Sequence, residues 1–317
     1  MPEISSSSAK LQKEALLPLI AAALKEDVGA RDVTSSVLVP KDQWAKGDLV
    51  VRQDGVAAGI QVMEWTFGQA DPRIRFKPAL RDGGLVHPGK VVAYVEGPAR
   101  GILAAERTAL NFFSRLSGIA SYTRQFVDRV KKYKVQIMDT RKTTPTLRFL
   151  EKYAVAMGGG TLHRKGLFDQ VLIKDNHLQL VASRLHSESG GFPPAMGAPH
   201  HRLSAVEAAV REVRRKFLAK ALIEVEVKTL QEFRLALSAE ADIILLDNMQ
   251  AADIQEAVRL RNAVVRSKKD RKIFLEVSGG VKLENVEAIA AAGVDRISIG
   301  ALTHSAPALD VALDLIG

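Results

Sequence analysis

The sequence predicts an α/β protein, a small strand-rich unit followed by a parallel α/β barrel, and three observations predict it. From about position 135 onward, short apolar runs alternate with amphipathic helical stretches, the pattern of parallel strands joined by helical crossovers. Polar residues recur at the C-terminal ends of those runs, where a barrel collects its active site, and this favours a barrel over a doubly wound sheet. Upstream of about Pro98 the texture differs, with alternating runs broken by Gly and Pro.

Taken in order, MPEISSSSAK (1–10) reads as a frayed terminus. The apolar run ALLPLIAAAL is too short to span a bilayer and leads directly into KED, so it reads as an amphipathic first helix rather than a signal peptide. Between Asp32 and about Pro98, DLVVRQ and VVAYVEG read as strands punctuated by RDGG and HPG. AERTALNFFSRLSGIASYTRQFVDRVKK keeps helical spacing throughout, as one long helix or two abutting ones. The barrel strands are VQIM (135–138), VLIK (171–174), LIEVEV (222–227), DIILLD (242–247), IFLEVS (273–278) and DRISIG (295–300). Helices LSAVEAAVREVRRKFLA and LENVEAIAAAG fall between them, the second closed by a glycine.

Composition limits the function. An apolar fraction of 47% with 26% charged residues is that of an ordinary globular chain. The net charge of +9 suits nucleic acid, a membrane surface or small polyanions. Aromatics are only 5% and do not interleave with cations as a base-stacking platform would, which turns the reading away from nucleic acid. There is no cysteine, so disulfides, thiolate catalysis and Cys-based zinc sites are excluded, and a cytoplasmic address is expected. The positive charge concentrates: from Arg141 to Lys174 seven Lys/Arg face two acids, Glu151 and Asp169. Such a density asks for an anionic partner.

The strand ends suggest which. Polar candidates there are Asp139 and Arg141, Lys174, Glu226 and Lys228, Asp247, Ser278 and Gly300. EVSGGV and SIGALTHS each run from strand into a Gly/Ser turn and then a helix, whose N–H groups can cradle a phosphate. Glu226 and Asp247, singly, could be caps or ion-pair partners; as a pair beside the basic cluster they suit Mg2+ or sugar hydroxyls. His163 is open between a ligand-binding donor and a packed histidine. Lys174 is open between a substrate-binding cation and a Schiff-base nucleophile.

The segments ERTALNFFSRLSGIAS, DTRKTTPTLRFLEKYAVAMGGGTLHRKGLFDQVLIKDNH, EVEV, DIILLDNM, EVSGGV and SIGALTHS, in this order and spacing, resemble quinolinate phosphoribosyltransferase. The resemblance runs from about Asp32 to the C-terminus. It implies an N-terminal α/β sandwich domain (1–117), on which a C-terminal helix packs back, and an open, incomplete parallel α/β barrel of TIM-like type (118–317). It also implies a homodimer with a shared active site, higher assembly being left open, and no nucleic-acid or membrane partner. The implied reaction joins quinolinate to phosphoribosyl pyrophosphate, giving nicotinate mononucleotide, pyrophosphate and CO2 on the route to NAD. The implied cofactor is Mg2+ with phosphoribosyl pyrophosphate, at Glu226 and Asp247, without an organic cofactor.

By the same resemblance quinolinate is held by Arg141, His163, Arg164 and Lys174, with Arg107 supplied by the other subunit. Lys142 meets phosphoribosyl pyrophosphate, and Ser278, Gly279, Gly280 and Gly300 form the phosphate turns. Glu226, Asp247, Lys142 and Lys174 are the expected catalytic set. No covalent nucleophile is needed, which weighs against the Schiff base. Arginine suits a dicarboxylate because its fork can grip a carboxylate in two places. A relative using nicotinate, or one linked to molybdenum transport, should free one arginine, whereas Arg107, Arg141 and Arg164 are all present. A non-catalytic phosphate or nucleic-acid binder is the rival from another class, and the paired carboxylates oppose it. One departure is a loop insertion at about 183–202, a lid or a tolerated surface insertion; its His186, His200 and His201 lack the companions a metal site needs.

Overall fold

The computed structural model describes residues 10–188, 199–217, 222–267 and 272–316. The chain forms two compact units that interleave along the sequence, one of 1–127, 142–162 and 300–317, the other of 128–141 and 163–299. The first half contributes α1 (Lys13–Val28), α2 (Val33–Leu38), β1 (Trp44–Val51), β2 (Gly55–Val56), α3 (Ile60–Ala70), β3 (Arg75–Pro78), β4 (Leu85–Val86), β5 (Val91–Pro98) and α4 (Ala99–Val130). Next come β6 (Gln136–Met138), α5 (Arg148–Met157), β7 (Val171–Ile173), α6 (Asp175–Glu188), α7 (Pro199–Phe217), β8 (Ile223–Val227) and α8 (Leu230–Ser238). The chain ends with β9 (Ile243–Asp247), α9 (Ala251–Ser267), β10 (Phe274–Ser278), α10 (Val286–Ala291), β11 (Arg296–Ser298), α11 (Ala301–His304) and β12 (Val311–Ile316).

In the first unit a four-stranded antiparallel sheet, in the order β12-β1-β5-β3, carries helices on its apolar face. Alternation along β1 and β5 sends Leu49, Val51, Ala93 and Val95 into one core with Ile60, Met63 and Phe67 of α3 and Ile102, Ala105, Leu110 and Phe113 of α4. Helix α4 is a single element of 32 residues, which settles the choice between one helix and two. The last element corrects the expectation of a C-terminal helix, because VALDLI is a strand. It completes the open edge of β1 in antiparallel register, with Val51 opposite Val311. Both hydrogen bonds of an Arg52–Asp314 fork measure 2.7 Å and help hold that register.

In the second unit six strands are all parallel, in the order β6-β11-β10-β9-β8-β7. From β7 to β11 spatial order follows sequence order, and β6 then joins beyond β11. That is the cyclic order of a barrel left open between β6 and β7; a doubly wound sheet would reverse its order at a switch point. All six expected strands are present within a residue or two. The expected 183–202 loop is smaller than the sequence suggests. Helix α6 continues to Glu188 and α7 begins at Pro199, so 183–188 and 199–202 are helical. The segment 189–198 lies outside the described residues, as do residues 1–9 of the expected frayed terminus 1–10. Among the described residues no helix is long and apolar enough to cross a membrane.

Candidate active site

Strand register builds one rim of the barrel unit. Ile173 pairs with Val225, so Lys174 and Glu226, the next residues, stand level. On the following pair of strands Asp247 is in register with Ser278, and Ser278 with Ser298. Glu226 is half-buried, and its carboxyl is pushed above the ordinary range by that burial and then by the charges of Asp247 and Asp175, against the pull of Lys174 and Lys228. These five side chains therefore share one electrostatic neighbourhood. Asp175, at the start of α6, pairs with Lys228 at 2.8 Å. It is a third carboxylate that the sequence reading missed, although it stands in the KDNH motif directly after Lys174.

The turn after β10 is shaped by backbone. Gly279 and Gly280 have φ of +89° and +64°, a region L side chains enter only at a cost. A Cβ on Gly279 would fall 2.2 Å from Oδ1 of Asn248. The Asn248 amide N–H donates to the Ser278 carbonyl at 2.9 Å, and its Nδ2 donates to Asp247 Oδ1 at 3.0 Å. Asn285 ties the far side, Nδ2 donating to the Gly280 carbonyl at 2.9 Å. Beside this turn lies a cavity of about 330 Å³, lined by Asn248, Ile254, Gly279, Gly280, Asn285 and Ile289 among others.

A second group gathers past β6. His163 and Arg164 are buried and Arg141 is half-buried. The His163 amide N–H donates to the buried carboxylate of Asp139 at 2.7 Å. Burial, and then the positive charge of Arg141, lower the Arg164 pKa against Glu224 and Asp169. Two guanidinium groups are thus held near enough to repel one another.

Behind His163 stand two fully buried acids of the barrel strands. Its Nε2 lies 3.2 Å from Glu224 and 3.4 Å from Glu276. Burial opposes charge on this ring, but the hydrogen bonds and charges of the two carboxylates prevail and push its pKa up to about 10. Against that, the Arg164 amide N–H donates to Nδ1 at 2.7 Å, which requires a lone pair there and leaves the ring proton on Nε2. The short hydrogen bond decides the tautomer, since an imidazolium would have to break it. Burial and the charge of Glu276 push Glu224 up. For Glu276 burial is outweighed by His163, Ser298 and Arg296, which hold it low. Among the described residues His163, Glu224 and Glu276 are the one group of three or more potential metal ligands within 4.8 Å of each other. A metal on Nε2 would need a second lone pair from a ring whose Nδ1 already accepts, so the trio does not fit one.

The other compact unit carries three of the expected residues. The Lys142 carbonyl accepts from Thr303 Oγ1 at 2.7 Å, and Lys142 Cδ lies 3.0 Å from where a Cβ on Gly300 would stand. Thr144, two residues on, donates through N–H and Oγ1 to the buried Glu151 at 3.0 and 2.9 Å. Arg107 is exposed on α4.

Comparison with known proteins now decides the family. The family model described as "Quinolinate phosphoribosyl transferase, N-terminal domain" matches residues 32–117, and that described as "Quinolinate phosphoribosyl transferase, C-terminal domain" matches 119–314. This chain belongs to the quinolinate phosphoribosyl transferase family. The nicotinate-nucleotide pyrophosphorylase [carboxylating] of Mycobacterium leprae is 39% identical over 298 residues, covering 92% of this chain and 94% of that protein. The probable enzyme of the same name from Bacillus subtilis is 36% identical over 290 residues, covering 92% and 90%. The solved nicotinate-nucleotide pyrophosphorylase of Francisella tularensis superposes with a TM-score of 0.83 at 32% identity, covering 97% and 98%.

Within this family fold the barrel unit brings together Lys174, Glu226, Asp247, Ser278 and Gly279 on one rim, and Arg141, His163 and Arg164 in one basic group. Lys174 is exposed. Glu224 and Glu276 were missed by the sequence reading. Their only signal is an acid inside an otherwise apolar strand, IEVEV and FLEVS.

Proposed function

We propose that this enzyme transfers the phosphoribosyl group of phosphoribosyl pyrophosphate to quinolinate with decarboxylation, giving nicotinate mononucleotide, pyrophosphate and CO2 in NAD biosynthesis. The observation that carries the substrate assignment is the basic group: the charge of Arg164 is disfavoured by its burial and then by the charge of Arg141, a cost that a dicarboxylate would relieve. Arg141, His163, Arg164 and Lys174 bind quinolinate, and a homodimer supplies Arg107 from the second subunit. Lys142 meets the sugar diphosphate. The turns at Ser278, Gly279, Gly280 and Gly300 take phosphate on backbone N–H groups. The absence of cysteine supports a cytoplasmic site of action.

Glu226 and Asp247 would hold Mg2+: both are hard oxygen donors, burial and then the charges of Asp247 and Asp175 raise Glu226, and a divalent ion would offset the repulsion. Held there together with phosphoribosyl pyrophosphate, the ion would supply charge neutralisation to the departing diphosphate. The carboxylates stabilise the positive charge that grows on the anomeric carbon as its bond to pyrophosphate breaks. The arginines hold the quinolinate ring so that its nitrogen forms the new C–N bond. The ring, now cationic, accepts the electron pair left when the adjacent carboxylate departs as CO2, and that carbon then takes a proton from water. Titration of the purified protein with quinolinate and, separately, nicotinate tests the assignment. Quinolinate binding at least about tenfold the tighter supports it, as one lost charge-assisted contact predicts; equal or weaker quinolinate binding overturns it.

A further inference from the structure

The buried acid of β8 takes no part in the chemistry above, yet it closes a ring of hydrogen bonds around one of the substrate arginines. Nε2 of His163 faces Glu224 Oε2 at 3.2 Å. Nδ1 of His163 accepts from the Arg164 amide at 2.7 Å. Arg164 Nη1 donates to the Gln170 carbonyl at 3.2 Å. Gln170 Nε2 then donates to the same Glu224 Oε2 at 2.8 Å. Starting at Glu224 the path runs through His163, Arg164 and Gln170 and returns to Glu224.

A carboxylate with no exposure in the middle of a strand is costly unless it does something a hydrophobic residue cannot. Here one oxygen accepts from both ends of the 163–170 segment. That segment is otherwise tied by Asp169, which accepts from the Lys165 amide at 2.7 Å and the Gly166 amide at 3.1 Å, and its Leu167 and Phe168 are exposed. Those contacts close the loop on itself; its His163 end is tied to the barrel unit by Asp139, Glu224 and Glu276, and its Gln170 end by Glu224. The ring also takes only one N–H of the Arg164 fork at Gln170, so the same bond that fixes the guanidinium plane leaves the rest of the fork for an anion.

We propose that Glu224 and Gln170 are positioning residues that set the Arg164 guanidinium in the orientation that grips a carboxylate of the substrate, an assignment that rests on the quinolinate reading. Neither is placed against substrate; Glu224 acts through His163 and Arg164, and Gln170 through Glu224 and the Arg164 guanidinium.

Three variants test it, with dissociation constants for quinolinate and phosphoribosyl pyrophosphate measured on each. Glu224→Leu removes the acceptor at similar volume and should raise the quinolinate constant about tenfold or more, leaving that for phosphoribosyl pyrophosphate within about twofold. Glu224→Gln keeps a carbonyl acceptor and should restore most of the lost affinity. Gln170→Ala, at a half-buried position, keeps the backbone carbonyl that accepts from Arg164 but removes the Nε2 bond that ties it to Glu224, and should raise the quinolinate constant about threefold to tenfold. A purely structural role would weaken both substrates together and lower the melting temperature in step, and that result overturns the proposal. Should Glu224→Leu fail to fold, Gln170→Ala decides alone, and unchanged quinolinate binding in it refutes the assignment. If the unaltered protein itself does not bind quinolinate, the functional reading fails first; if it binds and the variants bind equally well, only this inference falls.

Discussion

Gly279 and Gly280 are adjacent in the turn after β10, and substitution of each by alanine should give sharply different results. Both take positive φ, +89° and +64°, so either alanine carries a left-handed backbone cost of about 1–2 kcal/mol. Around Gly280 a new Cβ meets nothing within 4 Å, so Gly280→Ala should cost that backbone strain and little else. At Gly279 the Cβ would stand 2.2 Å from Oδ1 and 2.5 Å from Cγ of Asn248. The Asn248 side chain is held by its Nδ2, which donates to Asp247. Displacing it breaks a hydrogen bond worth roughly 1 kcal/mol, so with the backbone cost Gly279→Ala should lose roughly 2–3 kcal/mol in all. Because Asp247 and the turn are the proposed phosphoribosyl pyrophosphate contacts, kcat/KM for that substrate should fall about a hundredfold in Gly279→Ala, and less than about fivefold in Gly280→Ala. Urea unfolding and steady-state kinetics on the pair read both quantities. Equal losses in the two variants, or a larger loss at Gly280, would refute the steric reasoning.

Other outcomes follow from the same geometry. Glu151 is fully buried and accepts from Arg115 at 2.8 Å and from Thr144 twice, so Glu151→Ala should destabilise by about 3–5 kcal/mol in urea unfolding; less than about 1 kcal/mol would count against its bracing role. Glu226 titrates above an ordinary glutamate because of burial and its acidic neighbours, so its charge is lost on acidification at a higher pH than usual. The acid limb of kcat/KM should sit correspondingly high and disappear in Glu226→Gln. The sign for stability is the opposite: a raised carboxyl pKa contributes stability at low pH that is lost as pH rises through it, so Glu226→Gln should melt above the unaltered protein at pH 7. If the active site is shared between subunits, mixing inactive Arg107→Ala and Arg141→Ala proteins should restore some activity in mixed dimers, and no rescue under proven subunit exchange would contradict a shared site.

The parallel barrel was legible because its signals are local. VLIK, IEVEV, IILLD and FLEVS each place an apolar run before a polar end, and alternation with helices dictates parallel pairing. The open edge between β6 and β7 was not readable from periodicity, because closure depends on which strands meet. β12 was missed for the same reason: the six residues VALDLI are too short to carry a helical or strand signature of their own, and Arg52 and Asp314 lie 262 residues apart. At the site, Lys174, Glu226, Asp247 and Ser278 stood out as polar residues at strand ends. Glu224 and Glu276 did not, because an acid in a strand declares itself only when its inward neighbours are known, and His163 reaches both across the fold. Asp175 was hidden as an ordinary first-turn acid of a helix. The role of His163 was undecided in sequence because its hydrogen bonds, to Asp139, Arg164, Glu224 and Glu276, come from four separate places in the chain.

The most direct measurement of the central claim is a turnover assay with phosphoribosyl pyrophosphate and Mg2+ in which quinolinate or nicotinate is the acceptor and nicotinate mononucleotide, pyrophosphate and CO2 are all quantified. The arrangement of cations and carboxylates described above predicts equal amounts of the three products from quinolinate and no mononucleotide from nicotinate. Mononucleotide from nicotinate without CO2, or no product from quinolinate with a folded protein, would contradict it.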